Sequence, residues 1–303
     1  MKILVPCLCG PTAVGKTDLA LLFAERYNLA IISCDSRQIY KYLDIGTAKP
    51  KKAIREKYEF YMIDIITPDK YYSAYQYGKE TAKIIEELKK KDKKFLLVGG
   101  SGLYFKALFS PFFSAPPVDL NLREELKKKP LALLYEELKK VDKITAERIH
   151  PHDRQRIIRA LEIYYLTKKP FSHFIEKKEE SPFQPLYIGL YLERELLYQR
   201  IDERFEKMLE MGLIEEVENL LKMGYNENSP GLKTIGYSEV ILYLDGRLTK
   251  EKMISLAKKN TRNYCKRQLT WFKKENIAYW LNNRHLEESF SKIETILKNH
   301  QLL

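Results

Sequence analysis

The chain has 303 residues, 45% of them hydrophobic and 31% charged, with a formal net charge of +12. That is ample apolar material for a core, in two domains or in one with a large insertion, and no apolar run reaches the roughly 18–20 residues of a membrane span. The basic surplus points to a polyanionic partner. The cysteines Cys7, Cys9, Cys34 and Cys265 form no C-x-x-C pair, which argues against zinc and a disulfide framework and fits a reducing cytoplasm.

In chain order, KILVPCLC is a buried parallel strand; its apolar stretch is too short for a signal peptide and runs straight into a glycine loop. That loop, Gly10, Pro11, Thr12, Ala13, Val14, Gly15, Lys16 and Thr17, fits G-x-x-x-x-G-K-[ST]. Its backbone N–H groups and the following helix N-terminus suit a phosphate, Lys16 adds a point charge, and the Thr17 hydroxyl suits Mg²⁺. TDLALLFAERY then reads as a one-sided helix and LAIISC as a second buried strand ending at Asp35. YEFYMIDII reads as a third strand, residues 73–91 as a helix, and KKFLLVGGSGLYFKAL as strand, glycine turn and helix. The layout predicts a three-layer α/β fold with a parallel sheet. Ligands collect at the carboxyl ends of such strands, so the loop, Asp35 and Gly99–Gly102 are expected to converge.

The texture changes at SAPPVDLN, a proline-marked boundary, and again at SPFQP. These bounds predict a first core part over 1–118, a helical insertion over 119–185, and a second core part over 186–303 with basic C-terminal helices. LYIGLYL (186–192) reads as a core strand. Residues 193–222 read as one long amphipathic pattern, with Leu197, Ile201, Phe205, Met208 and Val217 on its apolar side. Residues 250–274 carry nine Lys/Arg against one acid, a clustering that favours nucleic acid.

A nucleotide triphosphatase usually has an acid ending a second strand, to hold Mg²⁺ and water. Here KKFLLV ends in Gly99-Gly100, and the available acid is Asp35, in CDSRQIY. Asp35 suits a metal ligand, a general base or, with Ser36 beside it, a helix cap. The glycines of GGSGLY (99–104) suit close backbone approach to a substrate. In RIHPHDRQRIIRALE (148–162), Arg156 and Arg159 share a helix face. TRNYCKRQLTWF (261–272) interleaves Arg262, Lys266 and Arg267 with aromatics expected mostly in the core.

Together, GPTAVGKT (10–17), DSRQIYKYLDIGTAKP (35–50), GGSGLY (99–104), RIHPHDRQRIIRALE (148–162), IGYSE (235–239) and TRNYCKRQLTWF (261–272) resemble the tRNA dimethylallyltransferases, also called IPP transferases, of bacterial type. They stand in the family's order from residue 10 to about 280, and DSRQIY with DIGTAKP is the most specific part. The resemblance implies a P-loop NTPase-like core and transfer of a dimethylallyl group from dimethylallyl diphosphate to the exocyclic amine of adenine at tRNA position 37, with Mg²⁺ required. It implies that the loop holds diphosphate although its motif label reads ATP-binding. It assigns Asp35 as base, Thr17 to Mg²⁺ and Ser101 to the reacting centre. Arg194, at a strand end, is a further phosphate contact.

The tRNA contacts it implies are Asp35, Ser36, Arg37, Gln38, Ser101, Arg123, Gln155, Arg156, Ile157, Ile158, Arg159, Lys233, Thr234, Ile235, Gly236, Tyr237, Ser238, Arg262, Lys266 and Arg267, with residues 119–185 clamping the anticodon loop. The family commonly has Thr at Ser101, where the hydroxyl survives, Asn at His152 and Lys at Ser238; none of these removes a proposed catalytic group, and the last bears on a peripheral RNA contact. The sequence has no C-x-x-C…H-x-H finger like that of eukaryotic relatives, which favours the bacterial form. A monomer is expected, as is a cytoplasmic, membrane-free location. The rival readings are a small-molecule or nucleoside kinase, an adenylate isopentenyltransferase acting on free nucleotides, and a non-catalytic RNA-binding module.

Overall fold

The computed structural model describes residues 2–110, 116, 118–176 and 180–303. Contacts divide the chain into two compact units, Met1–Phe109 with Pro182–Leu303, and Ser110–Ser181.

The first unit opens with strand β1 (Ile3–Cys9), helix α1 (Lys16–Tyr27) and strand β2 (Ala30–Cys34). A short helix α2 (Lys52–Lys57) precedes a two-residue strand β3 (Phe60–Tyr61). Helix α3 (Ala74–Lys90), strand β4 (Phe95–Gly99) and helix α4 (Gly102–Phe109) come next. Ser73 starts α3 with a capping box, its hydroxyl accepting from the Gln76 N–H. The insertion contributes α5 (Leu120–Lys128), α6 (Leu131–Val141), α7 (Lys143–Arg148), α8 (Arg154–Thr167) and α9 (Phe171–Glu176). The first unit resumes with β5 (Phe183–Tyr191), α10 (Arg194–Glu210), α11 (Leu213–Lys222), α12 (Tyr237–Leu244), α13 (Lys250–Phe272), β6 (Tyr279–Asn282) and α14 (Leu286–Asn299).

The six strands form one parallel sheet in the order β3-β2-β4-β1-β5-β6. The chain turns one way from β1 to lay down β4, β2 and β3, and the other way for β5 and β6, which makes the carboxyl ends beside β1 the place for a ligand. Both faces are covered. Val5, Cys7 and Cys9 point into one core with Ile32, Leu97 and Phe272, and Leu8 into the other with Phe23, Ile188 and Ile293. All four cysteines are free and buried.

Four details differ from expectation. Of the expected third strand, Phe60 and Tyr61 pair with β2 and Ile66 makes only an isolated bridge to Tyr40, because Met62 and Asp64 between them turn into the left-handed region with φ of 61° and 55°. The amphipathic stretch 193–222 is two helices, broken where Gly212 adopts φ 95° between α10 and α11. Strand β5 begins at Phe183, so Phe183–Pro185 belong to the sheet and not to the insertion. Pro185 is tolerated because β6 joins β5 only from Ile188 onward, so the missing N–H leaves no ladder partner unmet on that side. Lastly, β6 and α14 close the sheet edge and cover α1, where Phe290 stacks on Phe23 with ring centroids 4.3 Å apart. Ser114, Ala115 and Pro117 of the first proline-marked boundary lie outside the described residues.

The second unit packs Ile157, Ile158 and Leu161 of α8 against Leu126, Leu134 and Leu138. No helix among the described residues is long and apolar enough to cross a membrane.

At the level where the ladder ends, Cys9 and Cys34 both stand opposite Gly99. A side chain at Gly99 would sit on the Cys34 carbonyl. Gly99→Ala is therefore expected to cost ~1–3 kcal/mol through overpacking, read by calorimetry as a lower unfolding midpoint. An unchanged midpoint would mean that the sheet opens to admit the methyl.

Candidate active site

The shared register of Cys9, Gly99 and Cys34 makes three chains leave the sheet side by side. Gly10 begins the phosphate loop, Asp35 begins the DSRQ turn, and Gly100 begins the glycine turn. All three open on one cavity of about 960 Å³, lined also by residues 44–55, α10, α13 and Asn283. That volume suits a drug-sized ligand or larger.

The loop curls through φ 148° at Gly10, 63° at Ala13 and 92° at Gly15. It is held from the far end of the chain. The Thr12 N–H donates to Gln268 Oε1 (2.9 Å), and Gln268 Nε2 donates to the Gly100 carbonyl (2.9 Å). Asn283 Nδ2 donates to the Val14 carbonyl (2.7 Å). Lys16 Nζ donates to the carbonyls of Gly10 (3.0 Å) and Pro11 (2.6 Å). Burial lowers the Lys16 pKa to about 8; nearby Asp35 opposes the fall and nearby Arg204 adds to it. Thr17 and Asp18 are exposed beside it on the cavity wall.

Asp35 opens a turn and not a helix, so it caps no helix, and it remains the candidate base. Its Oδ1 accepts from the N–H groups of Arg37 (2.8 Å) and Gln38 (3.4 Å), fixing the turn. The half-buried carboxylate lines the cavity. Ser101 Oγ accepts from the Ser36 N–H (2.9 Å), tying the two strand ends together. Tyr264 of α13 also lines the cavity. Burial first, then the charge of Asp35, pushes its phenol up to about 12, against a bond to Ser101.

The glycine turn packs closely against α13. A side chain at Gly100 would strike Gln268, and one at Gly102 would strike Trp271. These glycines let α13 lie on the turn, and Gly99 and Gly100 also stand on the cavity wall. The 43–49 loop is built equally tightly. The Glu216 carboxylate of α11 accepts from the N–H groups of Asp44 (3.1 Å) and Ile45 (2.9 Å), from Gly46 (3.4 Å), and from the Tyr237 hydroxyl (2.5 Å). Lys49, its ammonium fully buried, donates to the Tyr40 carbonyl (2.5 Å), Asp44 (3.1 Å) and Asp64 (2.5 Å).

Several expected contacts are elsewhere. Arg194 is exposed with its guanidinium 5.2 Å above the Tyr198 ring, and it is not among the residues on the cavity wall. Arg200, Arg204 and Lys207 of α10 stand on that wall instead. Burial lowers the Arg204 pKa, while Asp35 and Asp18 counter it. Each of these cations precedes a residue of the apolar stripe (Ile201, Phe205, Met208), so reading the stripe alone passed over them. Ile157, Ile158, Thr234 and Tyr237 have buried side chains and serve the cores. Arg123 and Arg159 both bind the fully buried Glu162 (2.9 and 2.6 Å). Arg262 binds Asp202 (2.6 Å). Gln155, Arg156, Lys233, Lys266 and Arg267 remain exposed, Arg267 lying 5.7 Å from the Tyr264 ring centroid. Gln38 is held by the Thr47 and Ala48 carbonyls (3.2 and 3.3 Å).

Gln268→Ala would leave the Thr12 N–H and the Gly100 carbonyl without their partner. It is expected to cost ~1–3 kcal/mol and to speed amide hydrogen exchange in residues 10–17. Unchanged exchange there would remove Gln268 from the role of loop support.

The model of the family described as IPP transferase matches residues 38–275. A tRNA dimethylallyltransferase of Dictyoglomus turgidum is 46% identical over 288 residues, covering 93% of this chain and 88% of that protein. One of Thermotoga neapolitana is 45% identical over 296 residues, covering 96% and 97%. Among solved structures, the tRNA delta(2)-isopentenylpyrophosphate transferase of Staphylococcus epidermidis aligns with a TM-score of 0.72 at 36% identity, over 99% of this chain and 100% of that one. A eukaryotic dimethylallyltransferase acting on tRNA aligns at 0.82 with 28% identity, over 98% and 79%. With a match across most of its length and relatives at this identity, the chain belongs to the IPP transferase family.

Proposed function

We propose that this chain transfers a dimethylallyl group from dimethylallyl diphosphate to the exocyclic amine of adenine at position 37 of tRNAs reading codons that begin with U, in the cytoplasm. The observation that carries the reading is that Asp35 and the phosphate loop open into one cavity, while the strand between β1 and β2 ends in glycine and offers no acid for nucleotide hydrolysis. The names of the relatives agree with it.

In this reading the loop amides, Lys16 and Arg204 bind the diphosphate and stabilise charge as it departs. The adenine amine attacks the first carbon of the dimethylallyl group. A carbon–nitrogen bond forms, the carbon–oxygen bond to diphosphate breaks, and the amine proton passes to Asp35. The amine is a poor nucleophile because its lone pair is delocalised into the ring. Base assistance of ~10²–10⁴-fold matters here. Unstacking the adenine costs a few kcal/mol, least in a single-stranded loop. The exposed Gln155, Arg156, Lys233, Lys266 and Arg267 are the cations and polar groups available to grip RNA. Mg²⁺ fits the donor set: Thr17 and Asp18 supply hard oxygens at the cavity, and this ion usually takes one or two protein ligands plus substrate phosphates. When bound, it neutralises charge on the diphosphate.

The test is incubation of unmodified tRNA with dimethylallyl diphosphate and Mg²⁺, followed by mass spectrometry of the digest. A C5 unit on adenosine is expected; consumption of labelled ATP without prenylation would favour a kinase. Asp35→Asn keeps a side-chain oxygen for the turn and removes the base. It is expected to lower kcat ~10²–10⁴-fold with tRNA affinity retained, and an equal loss of affinity would make Asp35 structural.

The lowered Lys16 pKa adds a pH signature. Above about pH 8 the free enzyme loses the ammonium that would meet the diphosphate, so kcat/KM for the donor should fall through that pH. Between about 8 and the ordinary lysine value, the unfolded chain binds the proton that the folded one releases. The Lys16 contribution to stability therefore rises with pH over that window. A flat profile of kcat/KM from pH 7 to 9 would rule out Lys16 as the titrating cation.

A further inference from the structure

In the sequence Tyr42 lies between Asp35 and Asp44, both on the cavity wall, though Tyr42 itself is not among the residues of that wall. It stands in the left-handed region with φ 68°. A bulky side chain there is an outlier, and glycine would take the same φ without strain. The ring does not serve the core: it is 46% exposed. The backbone around it is pinned. The Lys41 N–H donates to the Ile66 carbonyl (2.8 Å), the Ile65 N–H to the Ile39 carbonyl (2.8 Å), and Tyr40 bridges Ile66. The strained conformation is thus imposed by its surroundings, the condition under which an outlier points to function.

The Tyr42 ring is 6.5 Å from that of half-buried Tyr225 at an interplanar angle of 33°. Tyr71, 44% exposed, lies within electrostatic reach of Tyr40. Exposed Lys41 and Lys70 belong to the same segments, Lys70 pairing with Asp69 at 3.3 Å. Arg37 reaches the Pro230 carbonyl at 3.3 Å, three residues before exposed Lys233. Aromatic faces open to solvent among cations, next to the turn that carries Asp35, match an unpaired nucleobase with its phosphates.

We propose that Tyr42, backed by Tyr225, is a stacking platform for an unpaired anticodon-loop base adjacent to the adenine that reacts. This rests on tRNA being the substrate. The platform holds the neighbouring base while the target adenine leaves the stack, so its effect falls on RNA binding and not on the diphosphate.

The experiment uses an anticodon stem-loop RNA with 2-aminopurine beside the target adenine. Binding to the full chain and to its Tyr42→Phe variant should quench the fluorescence. With Tyr42→Gly the quench should be lost and the RNA KM should rise about 5- to 150-fold. The KM for dimethylallyl diphosphate should stay within about twofold, because base stacking leaves the diphosphate site untouched. Because glycine relieves the strained φ, the unfolding midpoint of Tyr42→Gly should be unchanged or higher. An RNA KM for Tyr42→Gly equal to that of the parent chain would overturn the platform, as would a lowered midpoint or a Tyr42→Phe variant as impaired as the glycine one. The fluorescence needs no turnover. A chain that binds and quenches the RNA but never prenylates it would therefore refute the transferase reading and leave the platform standing.

Discussion

Gly99 is the constraint on which the site rests. In the sheet it faces Cys9 on one side and Cys34 on the other, and it leaves no room for a side chain against the Cys34 backbone. Three strands therefore end at one level, and the loops that leave them are delivered to one place. The phosphate loop, the DSRQ turn and the glycine turn have no sequence proximity. Their meeting is a property of parallel pairing alone.

A second layer then fixes the groups that the sheet has gathered. Gln268 ties the phosphate loop to the glycine turn, Asn283 holds the loop from behind, and Ser101 ties the glycine turn to the DSRQ turn. Glu216 gathers the amides of the 44–46 segment. These bonds go to backbone groups, so they set the shape of the cavity and leave its side chains to chemistry. The cavity joins groups of opposite sign: Lys16 and Arg204 on one side of the charge balance, and Asp35 on the other. Asp35 also moderates the effect of burial on both cations.

Much of this was legible in the residues. The buried strands, the phosphate loop and Asp35 announce themselves by local pattern, because strand burial and loop geometry depend on neighbours in the chain. The wall from α10 was not legible. Arg200 and Arg204 are ordinary surface cations by spacing, and only the packing of Ile201 and Phe205 turns them inward. The glycine turn is legible only in part, for a related reason. Its lack of side chains signals that something comes close, but not whether that is a ligand or α13. Likewise Arg123 and Arg159 count as free cations until the fully buried Glu162 is seen between them. Gly212 and the left-handed Met62 and Asp64 show the opposite limit, where single backbone angles cut an otherwise continuous pattern.

The bond from Thr12 to Gln268 spans 256 positions, and that from Val14 to Asn283 spans 269. A ribosome delivers the phosphate loop long before its supports. Until those supports emerge, the loop exists as sequence without its clasp, and its shape is set only when α13 and the segment around Asn283 have docked. Contacts of such long reach are slow to form. They also confine the competent site to finished molecules: a nascent or interrupted chain carries the motif and lacks the means to hold it in shape.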